Sequence, residues 1–401
     1  MTHAAVPQEI RILHVITTFS QGGATENTLF SVEGLKSLGY DVRILAGPPN
    51  RSEGDLFDRA KENDIPIRIL PELVRNIHPW KDLVALVRMI GIFREERITI
   101  VHTHSSKAGI LGRVAALAAR TPIVVHTIHG LPFHESQGMV LFTLFQWAER
   151  LCSLFTDKLI TVTDTITQKA LAAHIGKREQ FLTVRSGFLI RDFSRSAPKG
   201  KRLRKELGIG KDELVVGKIA RFSPLKGHRY LIDAIPEIIA KVPGVKFLLV
   251  GGGELEHELR ELVRQKGVAQ HVLFSGMLPV EHMPEVISMM DVVVHTSVLE
   301  GLARVLPQAL ALEKPVVSFD IDGAHEVITH GVTGYLVSPG DTGLLAAFIV
   351  ELLKNRRRAM QFGCAGRKIV VDRWDVKTMV QKIDGEYREL MEKKLGIRAN
   401  V

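Results

Sequence analysis

Arg221 and Lys226 stand five residues apart in Ile219-Ala-Arg-Phe-Ser-Pro-Leu-Lys-Gly227, directly after an apolar run. Two fixed cations in such a loop stabilise an anionic leaving group, such as a diphosphate, more as its charge grows than before. Glu300 follows a second apolar run, Asp291-Val-Val-Val-His295, and precedes Gly301, Leu302 and a helix expected over Val305 to Leu312. A carboxylate at such a helix mouth can accept hydrogen bonds from sugar hydroxyls. The helix itself carries Gln308. Gln21-Gly22-Gly23-Ala24 opens the first expected helix. Its glycines let backbone N–H groups approach a phosphate at the positive end of the helix. It is not Gly-x-Gly-x-x-Gly, so it gives little support to a dinucleotide site, and a plain tight turn is the alternative. Val250-Gly-Gly-Gly253 ends another strand, where Gly252 and Gly253 allow close approach of a base or ribose. A glycine turn without a ligand is the alternative there too.

Histidines gather at two further strand ends. Val101-His-Thr-His-Ser-Ser-Lys-Ala-Gly109 places His102 and His104 at alternate positions, followed by Ser105 and Lys107. Two imidazoles with no carboxylate or thiolate nearby are a poor zinc set. In Val124-Val-His-Thr-Ile-His-Gly130, His126 is expected to pack within the strand and His129 to stand at its exit. Asp320-Ile-Asp322 superficially resembles a metal-binding Asp-x-Asp, but it comes late in a second domain. No metal and no other cofactor is expected.

These residues need elements to hold them, and the chain alternates strands with helices from its start. Expected strands are 10–16, 41–46, 98–102, 123–127, 158–162 and 181–184, then 214–220, 247–250, 272–274, 291–295 and 316–319, with a last one ending at Val337. Short apolar runs bounded by turn residues read as buried parallel strands, and the alternation makes two doubly wound α/β domains. In such sheets ligands bind at the carboxyl edge, where all the loops above lie. Between Asp192 and Lys211 the pattern breaks into a basic run, including Arg195, Lys199, Lys201 and Arg202, read as an interdomain linker entering a short helix. The expected divisions are 1–193, 194–372 and a terminal helix in 373–401.

The length of 401 residues suits two to three domains. Its 53 Lys and Arg against 44 Asp and Glu give a net charge of +9, favouring anionic ligands or an anionic membrane surface. Only 6% of residues are aromatic, and there is no zinc spacing or RNA-binding motif, so nucleic acid is not expected. Two cysteines, Cys152 and Cys364, build no disulfide framework and point to a reducing cytoplasm. Residues 1–9 are polar and do not read as a secretory signal. No apolar run is long enough to span a bilayer. The nearest, Met139 to Phe155, has a polar stripe of Thr143, Gln146, Arg150 and Ser153. It reads as a core helix with one wet edge or as a membrane-facing helix.

The stretch from Glu300 to Val317 resembles the retaining glycosyltransferases of family four, which have the GT-B fold. Their signature is Glu, seven residues, Glu, then a Gly-x-Pro-Val-Val strand. Glu300 and Lys314-Pro-Val-Val317 match it, and Gln308 replaces the second Glu. Ala108-Gly-Ile-Leu-Gly-Arg113 is similar to the bacterial polysaccharide and cell-surface glycan type. The resemblance implies two Rossmann-like domains facing across a cleft. The acceptor would lie on the first and a UDP- or GDP-sugar on the second, with a terminal helix crossing back to the first. It implies a hexosyltransferase that moves a sugar with retention, without metal, onto a glycan or lipid-linked acceptor at the inner face of the membrane. Arg221 and Lys226 would hold the leaving diphosphate and Glu300 the sugar hydroxyls. Gly22, Gly23, Gly252, Gly253, Gly301, Leu302 and Gln308 would bind the donor, His129 would lie beside the transferred sugar, and His104, Ser105 and Lys107 would meet the acceptor. A nucleotide-sugar 2-epimerase and a weakly catalytic nucleotide-sugar-binding subunit share the resemblance. A dehydrogenase is disfavoured by the absent dinucleotide fingerprint.

Gln308 generates a prediction. Its amide can pair with two ribose hydroxyls, since each hydroxyl donates or accepts, but it lacks the charge assistance of a carboxylate. Gln308→Glu should tighten nucleoside diphosphate binding by about 1 kcal/mol, measured by calorimetry on both proteins. No binding by either protein would remove this helix from the donor site.

Overall fold

Parallel strands are buried on both faces, so uninterrupted Val, Ile and Leu runs become strands wherever turn residues bound them. The computed structural model describes residues 10–50, 54–133, 137–194 and 197–397. The polar residues 1–9, Arg195 and the Lys199 side chain lie outside that description. The chain divides into two units, Met1–Gly187 with Val376–Val401, and Phe188–Asp375.

The first unit runs β1 (Arg11–Ile16), α1 (Gly23–Ser37), β2 (Asp41–Ala46), α2 (Phe57–Glu62), β3 (Ile67–Ile69), α3 (Pro79–Glu95), β4 (Ile100–His104), α4 (Ser106–Ala119), β5 (Ile123–Ile128), α5 (Met139–Ser153), β6 (Lys158–Thr161), α6 (Asp164–Ala172) and β7 (Phe181–Thr183). Its parallel sheet has the order β3-β2-β1-β4-β5-β6-β7, so the order reverses between β1 and β4. β3 has no counterpart among the expected strands, because Ile67-Arg-Ile69 is short and mostly exposed at the sheet edge. β4 extends two residues past the expected His102 and takes in His104.

The second unit runs α7 (Ala197–Glu206), β8 (Leu214–Ile219), α8 (His228–Lys241), β9 (Val245–Val250), α9 (Glu256–Gln265), β10 (Val272–Gly276), α10 (Met283–Ser288), β11 (Val292–His295), α11 (Val305–Ala311), β12 (Val316–Phe319), α12 (Ala324–Val327), β13 (Gly334–Val337), α13 (Thr342–Lys354) and α14 (Arg356–Arg373). Its parallel sheet has the order β10-β9-β8-β11-β12-β13, which reverses between β8 and β11. Apolar cores cover both faces of this sheet.

Two divisions differ from the expectation. Phe188, Ile190 and Phe193 pack into the core of the second unit with Val215, Val293 and Trp374, so that unit begins at Phe188 rather than after residue 193. The basic run is likewise part of it, since Arg204 on α7 donates to the Met289 carbonyl at 3.0 Å. After α14 comes α15 (Val376–Leu395), which belongs to the first unit. There Tyr40 donates to Asp384 at 2.6 Å, Lys158 meets Glu386 at 3.0 Å and Lys394 meets Asp157 at 2.8 Å.

Helix α5 buries a charged residue while it exposes several large apolar ones. Glu149 and Ser153 are buried, while Met139, Val140 and Leu154 are more than 80% exposed, and Leu144, Trp147 and Leu151 more than half. The cause is a buried ion pair. Arg113 on α4 donates to Glu149 at 2.7 Å, with both side chains withdrawn from water. A desolvated charge needs its partner, so Glu149 turns inward to Arg113, while the apolar side chains named above face outward.

Candidate functional site

In each unit the strands on either side of the order reversal end in chemistry-bearing residues. Such a switch point opens a crevice at the carboxyl edge of a doubly wound sheet.

In the second unit the loop after β8 ends in a tight turn, Pro224–Lys226, closed by Gly227 at φ 59°. A Cβ at Gly227 would lie 2.0 Å from the Thr296 carbonyl oxygen, so only glycine allows this approach. The Thr296 hydroxyl donates to the Gly227 carbonyl at 2.7 Å, and the Val298 amide to the Leu225 carbonyl at 2.9 Å. These bonds join the loop after β8 to the loop after β11. They bring Lys226 Nζ to 2.5 Å from Glu300 Oε1. Both side chains are mostly buried, so the pair is shielded from bulk water. The Glu300 amide donates to Asp322 Oδ2 at 2.7 Å, which fixes the carboxylate loop from the other side. Asp320 lies instead 3.6 Å from His325, so the two aspartates of the Asp-x-Asp sequence face different partners. Gly301 and Leu302 lead from Glu300 into α11, where Gln308 is buried.

Arg221 stands exposed on the same loop after β8. That loop is held by the Gly251–Gly253 turn. The Phe222 amide donates to the Gly252 carbonyl at 2.8 Å, and a Cβ at Gly253 would lie 2.6 Å from the Phe222 carbonyl oxygen. The glycines thus position the Arg221 loop by close backbone approach.

Three buried basic groups beneath Glu300 escape the sequence reading. They are Lys218 on β8, His228 at the start of α8, and His295, whose Nε2 is 3.6 Å from Glu300 Oε1. Burial pushes Lys218 down to about 7, opposed by nearby Glu300, and its Nζ has no hydrogen-bond partner among the described residues. Burial, helped by the Lys218 charge, also holds His228 and His295 well below the usual imidazole range. The signal was a lysine inside the apolar run Leu214 to Ala220.

In the first unit β1 pairs with β4 so that His14 stands opposite His102. His102 and His104, two apart in one strand, share a face. His14 Nδ1 is 2.9 Å from His104 Nε2, and His104 Nδ1 is 3.1 Å from His129 Nε2. His102 bonds Tyr387 of α15 at 2.6 Å and Thr127 at 2.7 Å. His14, His102 and His104 are fully buried, and burial pushes His14 down to about 3 and the other two well below the usual range. His104 therefore reaches the sheet edge through His129, which is half-buried. His14, His102 and His104 are the group of described residues whose ring nitrogens are close enough to hold a metal ion. His14 is the third member that the sequence reading did not pair with them. In this arrangement, however, these rings bond to each other, to His129 and to hydroxyls.

Ser105, at φ 60°, bonds the Thr17 hydroxyl at 2.7 Å. Lys107 Nζ meets Asp82 at 2.5 Å and also donates to the Asn76 carbonyl. His126 bonds the Thr103 hydroxyl at 2.9 Å inside the sheet, away from the edge. Gly22 and Gly23 begin α1 without a side-chain cap, and the space beside Gly22 is open.

Two doubly wound units with ionisable residues at their switch points define the GT-B architecture. A model described as "Glycosyl transferase 4-like domain" matches residues 22–187, and one described as "Glycosyl transferases group 1" matches residues 200–369. A GDP-mannose-dependent phosphatidylinositol monomannoside mannosyltransferase of Mycolicibacterium smegmatis is 31% identical over 73% of this chain and 76% of its own. A galactosyltransferase of Escherichia coli that uses UDP-Gal and a GlcNAc-diphosphoundecaprenol is 25% identical over 96% of this chain and 98% of its own. The structure of Anabaena Alr3699/HepE with UDP-glucose superposes with a TM-score of 0.82, at 25% identity over 95% of this chain and all of that one. This chain belongs to the group 1 glycosyltransferases, with the GT-B fold.

Lys218 gives a pH prediction. Unfolded, it keeps its proton up to about 10.5, but folded only to about 7. Between those values the unfolded chain binds more protons, so this residue makes stability rise with pH across that window. At and below the lower value the burial penalty applies in full. Lys218→Met should therefore stabilise the protein at pH 6 and flatten the rise, as followed by urea denaturation. Parallel pH profiles for the two proteins would show that Lys218 is not the titrating group.

Proposed function

We propose that this glycosyltransferase is a retaining hexosyltransferase that takes its sugar from a nucleoside diphosphate sugar, UDP- or GDP-linked. The acceptor is a glycan or a lipid-linked glycan of cell-surface polysaccharide synthesis. The observation that carries the reading is the 2.5 Å contact of Lys226 with Glu300 at the switch point of the second unit. It holds a cation for a leaving phosphate beside a carboxylate for sugar hydroxyls. The UDP-glucose bound to HepE and the donors named for the relatives above support the substrate class.

The second unit takes the nucleotide sugar. As the bond between the anomeric carbon and the phosphate oxygen breaks, negative charge grows on the diphosphate, and Arg221 and Lys226 stabilise it. The acceptor oxygen bonds the anomeric carbon on the same face, and its proton passes to the leaving phosphate oxygen. Glu300 binds hydroxyls of the moving sugar, and Gly252, Gly253, Gly301, Leu302 and Gln308 bind the nucleotide side. Gly22 and Gly23 serve the phosphates, His129 the transferred sugar, and Ser105 and Lys107 the acceptor, with His104 acting through His129. The two cations make a metal ion unnecessary.

Among the described residues no helix is long and apolar enough to cross a membrane. The outward apolar face of α5 and the net charge of +9 support peripheral docking of a cytoplasmic enzyme on an anionic leaflet, where lipid-linked acceptors lie.

Turnover of UDP- and GDP-sugars with excess chelator tests the reaction. Activity should persist, the product should keep the donor's anomeric configuration, and Lys226→Ala or Arg221→Ala should lower turnover on the order of 10²–10³-fold. Near-normal turnover in both variants would refute the assignment, and a changed sugar without an acceptor would make the protein a 2-epimerase.

Sedimentation with anionic vesicles tests the docking. Binding at low salt should weaken with added salt and be lost when Leu144 and Leu151 are both changed to Glu. Equal binding by that variant would exclude α5.

A further inference from the structure

Lys226 has two calls on its charge. In the free protein it meets Glu300 at 2.5 Å, and with a nucleotide sugar bound it meets the diphosphate. Glu300 then has to share its cation while a like charge stands beside it. Beneath the pair lies a second source of positive charge, Lys218 of β8. Its side chain is fully buried and leaves the strand on the same face as Val216, two residues earlier. Its Nζ has no hydrogen-bond partner among the described residues. The charged and titratable groups that face it are Glu300 and Lys226 from the two loops, His228 from α8 and His295 from β11. His295 Nε2, at 3.6 Å from Glu300 Oε1, is too far to hydrogen-bond it.

We propose that Lys218 is a positioning residue that takes a proton from solvent as the nucleotide sugar binds, and so becomes the counter-cation of Glu300 when Lys226 turns to the diphosphate. The inference rests on the reading of Lys226 as the cation of the leaving diphosphate. In the free protein burial pushes Lys218 down to about 7, Glu300 opposes that fall, and Lys226 adds to it. A bound diphosphate changes this balance twice. It brings negative charge to the site, and it draws Lys226, a like charge, away from Glu300. Both changes favour the ammonium form of Lys218. Burial holds His228 and His295 well below the usual imidazole range, so neither takes the proton in place of Lys218. One proton moves from the buffer to Nζ, and no bond of the sugar takes part. The ammonium then holds the Glu300 carboxylate in place for the sugar hydroxyls, while Lys226 serves the phosphate. Such coupling is reciprocal, so donor affinity rises as pH falls toward about 7 and levels off below it.

The test is calorimetric titration of the full chain with UDP-glucose and with GDP-mannose at pH 8, each in two buffers of different ionisation heat. Neither nucleotide sugar titrates near that pH, so the difference between buffers counts protons taken up by the protein. The wild-type protein should take up most of one proton per nucleotide sugar bound. Lys218→Met should take up almost none and bind more weakly on the order of 10-fold. Binding by the wild type without proton uptake would overturn the proposal, as would equal uptake by a folded Lys218→Met. Lys226→Met gives a measurement that needs no nucleotide. With the like charge gone and Glu300 left without its cation, Lys218 should keep its proton to higher pH in the folded state. The rise of stability with pH, followed by urea denaturation, should then begin at a higher pH than in the wild type. An unchanged onset in that variant would also overturn the proposal. If neither nucleotide sugar binds, the donor reading fails, while the onset in Lys226→Met still decides whether Lys218 is the reserve cation of Glu300.

Discussion

The second unit depends on holding two opposite charges together out of bulk water. A carboxylate buried alone would neutralise or unfold its surroundings. Glu300 is not alone, because Lys226 reaches it, and Lys226 reaches it because Gly227 lets the two loops touch at Thr296. Asp322 holds the Glu300 loop from behind, and the Gly251–Gly253 turn holds the Arg221 loop from the side. The site is therefore built mostly from backbone contacts between loops that leave neighbouring strands. The contact uses one oxygen of Glu300 and leaves its second oxygen and two protons of Lys226 outside it.

The first unit places a different chemistry at the same topological point. Where β8 and β11 end in an ion pair, β1 and β4 carry neutral imidazoles. Both solutions follow from one constraint. Polar groups inside a parallel sheet must find partners there, because helices cover both faces and exclude water. One unit answers with charge and the other with a hydrogen-bonded chain.

Much of this was legible in the sequence. The strands were, because strands buried on both faces leave unbroken apolar runs. The places of Arg221, Lys226 and Glu300 were, because each follows such a run at the edge where loops gather. What was not legible is adjacency. Lys226 and Glu300 are 74 residues apart, and only the pairing of β8 with β11 brings them into contact. His14 reads as one residue of an ordinary strand until β1 pairs with β4 and sets it opposite His102. The polar stripe of α5 was visible, but the buried charge on that helix is Glu149, outside the stripe, and its partner Arg113 lies on another helix. The boundary near residue 190 was misplaced because three apolar residues there look alike whichever core they join, and the core they join is the second.

The return of α15 to the first unit has a consequence for the order in which the protein is made. Everything between Phe188 and Asp375 is synthesised before the segment that completes the first sheet's surroundings. Domains generally fold as units during synthesis, the earlier ones first. Here the earlier unit must wait. Until Tyr387 emerges from the ribosome, His14 and His102 lack their shared hydroxyl, and the face of α1 that α15 covers is open to water or to a chaperone. The unit that starts first finishes last, so its nascent form exposes apolar surface throughout the translation of the second.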